Sequence, residues 1–261
     1  MGKSIARSVN GTFRRIQFTP DLLPSDIVGS NVFNSRDNQF EFNPGPVFSN
    51  FVLADEINRA PPRTQSALLE AMSDAQVSID GKTHELEQPF TVIATQNPFE
   101  FEGTYVLPES QMDRFLIRIS MGYPDREFER DILNSHRGRP PVEELKATCS
   151  TEDLIQLQSH VCDVKVEDSI SDYMLNVIHA TRESPQLSVG VSTRGALLWY
   201  RATQAMAFMD GRNYAVPDDA KELAVAVLSH RVQLPGIVQG GHRDESEAVI
   251  REIVSTVATP R

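Results

Sequence analysis

A parallel α/β sheet core followed by an all-helical domain is the fold class this sequence predicts. Three observations carry it. From Phe13 to about Pro124, short β-rich apolar runs alternate with helical and Gly/Pro-rich stretches. Two of these runs, Phe51-Val52-Leu53-Ala54 and Thr91-Val92-Ile93-Ala94, are apolar on both faces, as strands inside a parallel sheet are. From Arg126 onward the strand signal fades and amphipathic helical patterns replace it.

The elements follow in order. Strands are expected at 13–18, 51–54, 90–95 and 115–120. Pro61-Pro62 opens a helix on which Leu68, Leu69, Met72 and Ala75 recur at helical spacing. Residues 40–46 combine alternation with a tight turn, and 76–86 form a hairpin with Asp80-Gly81 at its turn. Helices are expected at 127–135, 151–161, 169–181, 193–209 and 218–228, several with start signals such as Thr151-Glu152 and Pro217-Asp218-Asp219. The expected division is a core over 1–124 and a helical domain over 125–261.

Composition narrows the function. The 261 residues are 40% hydrophobic, with a formal charge of −11 and a pI near 5.0. That balance suits a cytoplasmic protein and makes nucleic acid a poor partner, because an acidic surface is repelled by phosphate backbones. No apolar run approaches the roughly 20 residues that span a bilayer, and the N-terminus has no apolar core of a signal peptide. Cys149 and Cys162, with no C-x-x-C and no histidine at ligand spacing, are expected to be buried free thiols. The six histidines form no H-x-x-x-H pair.

The strongest chemical signal is Phe51-Val52-Leu53-Ala54-Asp55-Glu56. Two carboxylates directly after a buried strand emerge at its C-terminal edge, where open α/β sheets bind ligands. There Asp55 is placed to hold Mg²⁺ through water, and Glu56 to polarise an attacking water, the Walker B arrangement. An ordinary acidic strand-to-helix turn would carry the same hexapeptide. The next strand ends in Thr95-Gln96-Asn97-Pro98 and puts a neutral amide at the same edge, where Asn97 can orient the water.

Longer strings resemble one family. Asp55-Glu56-Ile57-Asn58-Arg59-Ala60-Pro61-Pro62, Thr64 to Met72, Phe18 to Asp26, Ala94-Thr95-Gln96-Asn97-Pro98 and Gly122 to Glu127 are similar to the MoxR family of AAA+ ATPases, nearly along the whole chain. The resemblance implies an AAA+ P-loop NTPase-like core with a helical lid, using ATP and Mg²⁺. It implies Asp55 as the Mg²⁺ ligand, Glu56 as catalytic base and Asn97 as sensor 1. Within Leu107-Pro108-Glu109-Ser110-Gln111-Met112-Asp113-Arg114-Phe115, it implies Arg114 as the finger reaching a neighbour's γ-phosphate. Arg194, in Ser192-Thr193-Arg194, would be sensor 2, touching nucleotide from the lid. Both hairpins would resemble the insertions of this clade. The implied assembly is a ring, commonly a hexamer, that remodels or activates client proteins, often with partners containing von Willebrand factor A domains. A non-catalytic scaffold subunit and a nucleic-acid motor of the same clade are the alternative expectations.

One motif departs from the pattern. A phosphate-binding loop reads G-x-x-x-x-G-K-[ST] after a buried strand, whereas this chain opens Met1-Gly2-Lys3-Ser4. Only the tail of the motif is present, and aligning the family pattern without gaps puts these residues inside the following helix. The chain is thus expected to carry most of the module without most of that loop. The strand bearing the loop would lie between the strand ending at Asn97 and the one at 115–120, so both would lack a ladder partner.

Overall fold

The structure, a computed structural model, describes residues 1–96, 105–135, 141–236 and 243–260. The chain forms two compact units: Met1–Tyr105 with Ser120–Ile155, and Val106–Ile119 with Gln156–Arg261.

The first unit opens with α1 (Gly2–Ser8), β1 (Phe13–Gln17), α2 (Pro24–Val28) and the hairpin β2 (Gly29–Asn34) to β3 (Gln39–Pro44). It continues through β4 (Phe51–Asp55), α3 (Pro62–Asp74), the hairpin β5 (Gln76–Ile79) to β6 (Lys82–Glu85) and β7 (Thr91–Ala94). Strands β1, β4 and β7 make a parallel sheet with β4 in the middle. The register pairs Gln17 with Asp55 and Ala54 with Ala94. Phe51, Val52 and Ala54 are buried, as expected of a central strand.

Strand β7 departs from expectation, being half-buried along its length. Among the described residues it pairs on one edge only. The expected strand at 115–120 is also absent: those residues are irregular, and 115–119 fall within the second unit. Their backbone groups find other partners: the Arg118 N–H donates to Ala226 O at 2.9 Å, and Arg231 donates to the carbonyls of Phe115 and Leu116. A strand with no ladder beside it does not form, because its polar backbone must be satisfied elsewhere.

Both hairpins form. Asp80 (φ 49°) and Gly81 (φ 77°) are left-handed, the two-residue turn that Asp-Gly favours. The hairpins are tied together. His84 of β6 stacks on Phe42 of β3 with centroids 4.1 Å apart and meets Phe48 edge-on at 6.3 Å. Asn31 Nδ2 donates to Asp80 Oδ2 at 2.6 Å. At the far end of β2–β3, Phe33 and Phe40 form an exposed edge-to-face pair.

Gly2-Lys3-Ser4 lies in the first turn of α1, where Gly2 is buried and Lys3 exposed. Cys149 is half-buried against the cluster of Ala6, Val9 and Phe51, while Cys162 is exposed. Both thiols are free, but the expectation that both are buried fails: Cys162 ends its helix exposed, its Sγ bonded to Gln158 O.

The remaining helices are α4 (Glu109–Met112), α5 (Arg126–Ser135), α6 (Thr151–Cys162), α7 (Asp168–Glu183), α8 (Thr193–Met209), α9 (Pro217–Leu228) and α10 (Arg243–Thr256). In the second unit α7 to α10 enclose a core of Tyr173, Val177, Ile178, Trp199, Ala220, Val227, Leu228 and Ile250. Trp199 is fully buried, and its indole N–H donates to Ala220 O at 2.9 Å, so the ring bridges α8 and α9 without an orphaned donor. Two of these helix starts are capped by side chains. Ser192 Oγ caps α8 by accepting the Gly195 N–H at 3.0 Å, and Asp219 accepts the Val216 N–H at 2.8 Å while gripping Arg212 through both oxygens.

Candidate active site

The paired carboxylates stand where the sequence puts them, at the end of β4. Asp55 is its last residue, and Glu56 turns the chain out of the sheet with left-handed angles, φ 55° and ψ 50°. A non-glycine residue in that conformation is under strain of about 1–2 kcal/mol and persists only where its neighbours hold it. Thr95, just past β7, does the holding. Its N–H donates to Ala54 O at 2.9 Å, and its carbonyl accepts the Ile57 N–H at 3.0 Å. Its hydroxyl accepts the Glu56 N–H at 2.9 Å and donates to Asp55 Oδ1 at 2.5 Å.

Charged neighbours complete the arrangement. Arg15 Nε lies 3.1 Å from Asp55 Oδ2, and a second guanidinium nitrogen bonds the same oxygen. The Thr95 hydroxyl first, and Arg15 next, hold the Asp55 carboxyl below the usual carboxylate range despite partial burial. Gln17 Nε2 at 2.9 Å and Arg59 at 3.0 Å both donate to Glu56 Oε2.

The donor set fits a hydrated Mg²⁺. Asp55 is a carboxylate at neutral pH, and Thr95 takes only one of the two lone-pair directions of Oδ1. Among the described residues no cluster of three or more His, Cys, Asp or Glu offers a cage of direct ligands. An ion here would be held largely by water and phosphate.

Asn97, expected at the same edge, lies outside the described residues. Arg114 and Arg194 belong to the second unit, apart from Asp55 and Glu56 in the chain's division. Arg114 is half-buried just after α4, its N–H bonded to Gln111 O at 3.2 Å. Arg194 is exposed at the second position of α8. Sequence reasoning missed Arg15, Gln17, Arg59 and Thr95 as neighbours of the carboxylates. Arg15 and Gln17 carried a usable signal: two apart on a strand, they share one face, and β1 runs beside β4.

A nucleotide-type parallel sheet with an acidic pair at its edge, joined to a helical unit, defines an AAA-type ATPase module, and comparison with known proteins agrees. Residues 1–117 match the ATPase family associated with various cellular activities, and residues 179–253 match the AAA lid domain. The chain is 47% identical, over all of its length and 81% of the relative's, to the uncharacterized protein YeaC of Bacillus subtilis. It is 43% identical to chaperone MoxR1 of Mycobacterium tuberculosis, over 99% of this chain and 70% of that protein. A crystal structure of a candidate ATPase from Cytophaga hutchinsonii superposes with a TM-score of 0.88 at 38% identity, covering 99% of this chain and 81% of that one. The chain belongs to the MoxR family of AAA+ ATPases.

Proposed function

We infer that this chain supplies the hydrolytic and lid parts of a Mg²⁺-dependent ATPase whose nucleotide cycle remodels or activates client proteins. The observation that carries this is the arrangement of Asp55 and Glu56 around Thr95, with Gln17 and Arg59 both holding Glu56 through Oε2. Bound Mg²⁺ would neutralise charge developing on the β- and γ-phosphates. Asp55 would hold the ion through water. Glu56, steadied by Gln17 and Arg59, would take a proton from the attacking water at Oε1. Asn97 is assigned to orient that water, Arg194 to the chain's own nucleotide, and Arg114 to the nucleotide of a neighbouring subunit.

A finger acting in trans needs an oligomer, so we assign the working form to a ring, most simply a hexamer, in the cytoplasm. Client proteins or proteins with von Willebrand factor A domains are its partners, and the acidic charge disfavours nucleic acid. The chaperone name of the mycobacterial relative supports the remodelling assignment. We assign the functional division as a core over 1–124 and a lid over 125–261, which differs from the division into compact units at 106–119 and 125–155. Among the described residues no helix is long and apolar enough to cross a membrane.

Phosphate contacts in this family type come from a glycine-rich loop that the sequence matches only at Gly2-Lys3-Ser4. Residues 1–261 alone are therefore expected to bind Mg·ATP weakly, and a form with a complete strand and loop to bind and hydrolyse it. Calorimetry and phosphate release on both forms test this. Micromolar affinity of residues 1–261 would restore Lys3 as a phosphate ligand. Absence of hydrolysis from the loop-bearing form, with nucleotide bound and rings assembled, would favour the scaffold alternative.

A further inference from the structure

Asp113 precedes the proposed finger, and its two carboxylate oxygens are held by different elements. Oδ1 accepts from Arg231 Nε at 3.1 Å, and Oδ2 accepts from Ser192 Oγ at 2.8 Å. Ser192 is the N-cap of α8, its hydroxyl accepting the Gly195 N–H at the same time. Arg194 stands two residues further on. We propose that Asp113, Arg231 and Ser192 are positioning residues that fix Arg114, the finger offered to a neighbour, against the helix end that carries Arg194.

The clamp is built rather than incidental. The Arg231 side chain is fully buried, 0% exposed, and its guanidinium also bonds the carbonyls of Asp113, Phe115, Leu116 and Val227. A buried guanidinium is costly to desolvate, so such a group is held only where carboxylate and carbonyl partners surround it. Here those partners are the backbone on both sides of Arg114. Gly195 makes room for it, since a Cβ there would lie 2.7 Å from Arg231 Cδ and from Val191 Cγ1. His230 Nε2 adds a further tie, 3.0 Å from Phe115 O.

One carboxylate shared between two elements sets the distance and angle between them. A subunit whose Arg194 answers to its own nucleotide would carry that state, through Ser192 and Asp113, to the Arg114 it presents next door. This rests on the ATPase assignment above, and the test separates the two.

The test uses hydrolysing rings and mixed subunits. Asp113→Asn keeps the shape and removes the charge. It should lower kcat by at least about ten-fold and leave KM for ATP within about two-fold, because the finger acts in the transition state. Mixed with Glu56→Gln subunits, Asp113→Asn should recover activity, since its own intact base then meets a neighbour's well-placed finger. Mixed with Arg114→Ala it should recover none, because both lesions lie in the finger. Ser192→Ala should behave alike and Ser192→Thr, which keeps the hydroxyl, should stay near normal. These two variants carry the test if Asp113→Asn does not fold, as read from Trp199 fluorescence.

A normal kcat, or failure to recover activity with Glu56→Gln while the Arg114→Ala and Glu56→Gln pair does recover, overturns the clamp and leaves the ATPase assignment standing. If that reference pair itself stays inactive in rings shown to exchange subunits, the trans finger falls, and the clamp with it.

Discussion

Thr95 donates its hydroxyl proton to Asp55 at 2.5 Å and accepts the Glu56 N–H at 2.9 Å, so one side chain sets both carboxylates. Thr95→Val keeps the shape and removes both bonds. Both bonds are solvent-exposed, so water can replace them in part and their loss should cost on the order of 1 kcal/mol of stability. Asp55 is held below the usual carboxylate range, so its contribution is present above that range and is lost as pH falls through the lowered value. The loss on Thr95→Val, measured by urea unfolding, should accordingly be larger at pH 7 than near pH 3. Equal losses at both would remove Asp55 from the effect.

Glu56→Gln should retain nucleotide binding and stop turnover, because an amide cannot accept the proton of the attacking water. General-base contributions run to roughly 10²–10⁴-fold, so phosphate release should fall by at least about 100-fold. The Gln17 and Arg59 contacts are to the carboxylate oxygen Oε2, which the amide can reproduce in part. Near-normal hydrolysis by this variant would take Glu56 out of the mechanism.

Arg114→Ala should lower hydrolysis by on the order of 10³-fold, the scale of fingers in other phosphoryl-transfer proteins. The fold should be largely retained, because Asp113 and the carbonyl of Leu116, on either side of Arg114, are both held by Arg231. Parallel measurement of unfolding midpoint and kcat separates the two: a fall in both together would assign Arg114 to structure.

His230 supplies a pH prediction. Its burial, with the Arg231 guanidinium beside it, pushes the imidazole down to about 3. The unfolded value is near 6.5, so the unfolded chain takes up the proton first. Stability is then full above about pH 6.5 and declines between there and about pH 3, by on the order of 1 kcal/mol per pH unit. Trp199, the single tryptophan and part of the second unit's core, reports it. His230→Gln should flatten the decline over pH 6.5–4. An unchanged slope would show that other groups dominate acid unfolding of this unit.

Much of this was legible in the sequence where signals are local. Strand β4 announces itself by two apolar faces, α8 by unbroken helical spacing, and the β5–β6 turn by Asp-Gly. The run 115–120 reads as a strand by the same rule and is not one, because strand formation depends on what lies alongside. Arg15 and Gln17 show in the sequence only that they share one strand face; that this face, and Thr95, meet Asp55 and Glu56 follows from register between β1, β4 and β7, which no single stretch encodes. The Asp113–Arg231 pair is separated by 118 residues and carries no local pattern at all.

The stacked His84, gripped by Phe42 and Phe48, makes the two hairpins behave as one stiff lever rather than two independent whiskers. Leu86 N–H donates to Ala75 O at 2.8 Å, so the lever is hinged at the C-terminal end of α3. The other end of α3 begins only a few residues after Glu56. A pull on Phe33 or Phe40 at the tip therefore has a short, stiff route to the strained residue at the end of β4, and movement there has the same route out.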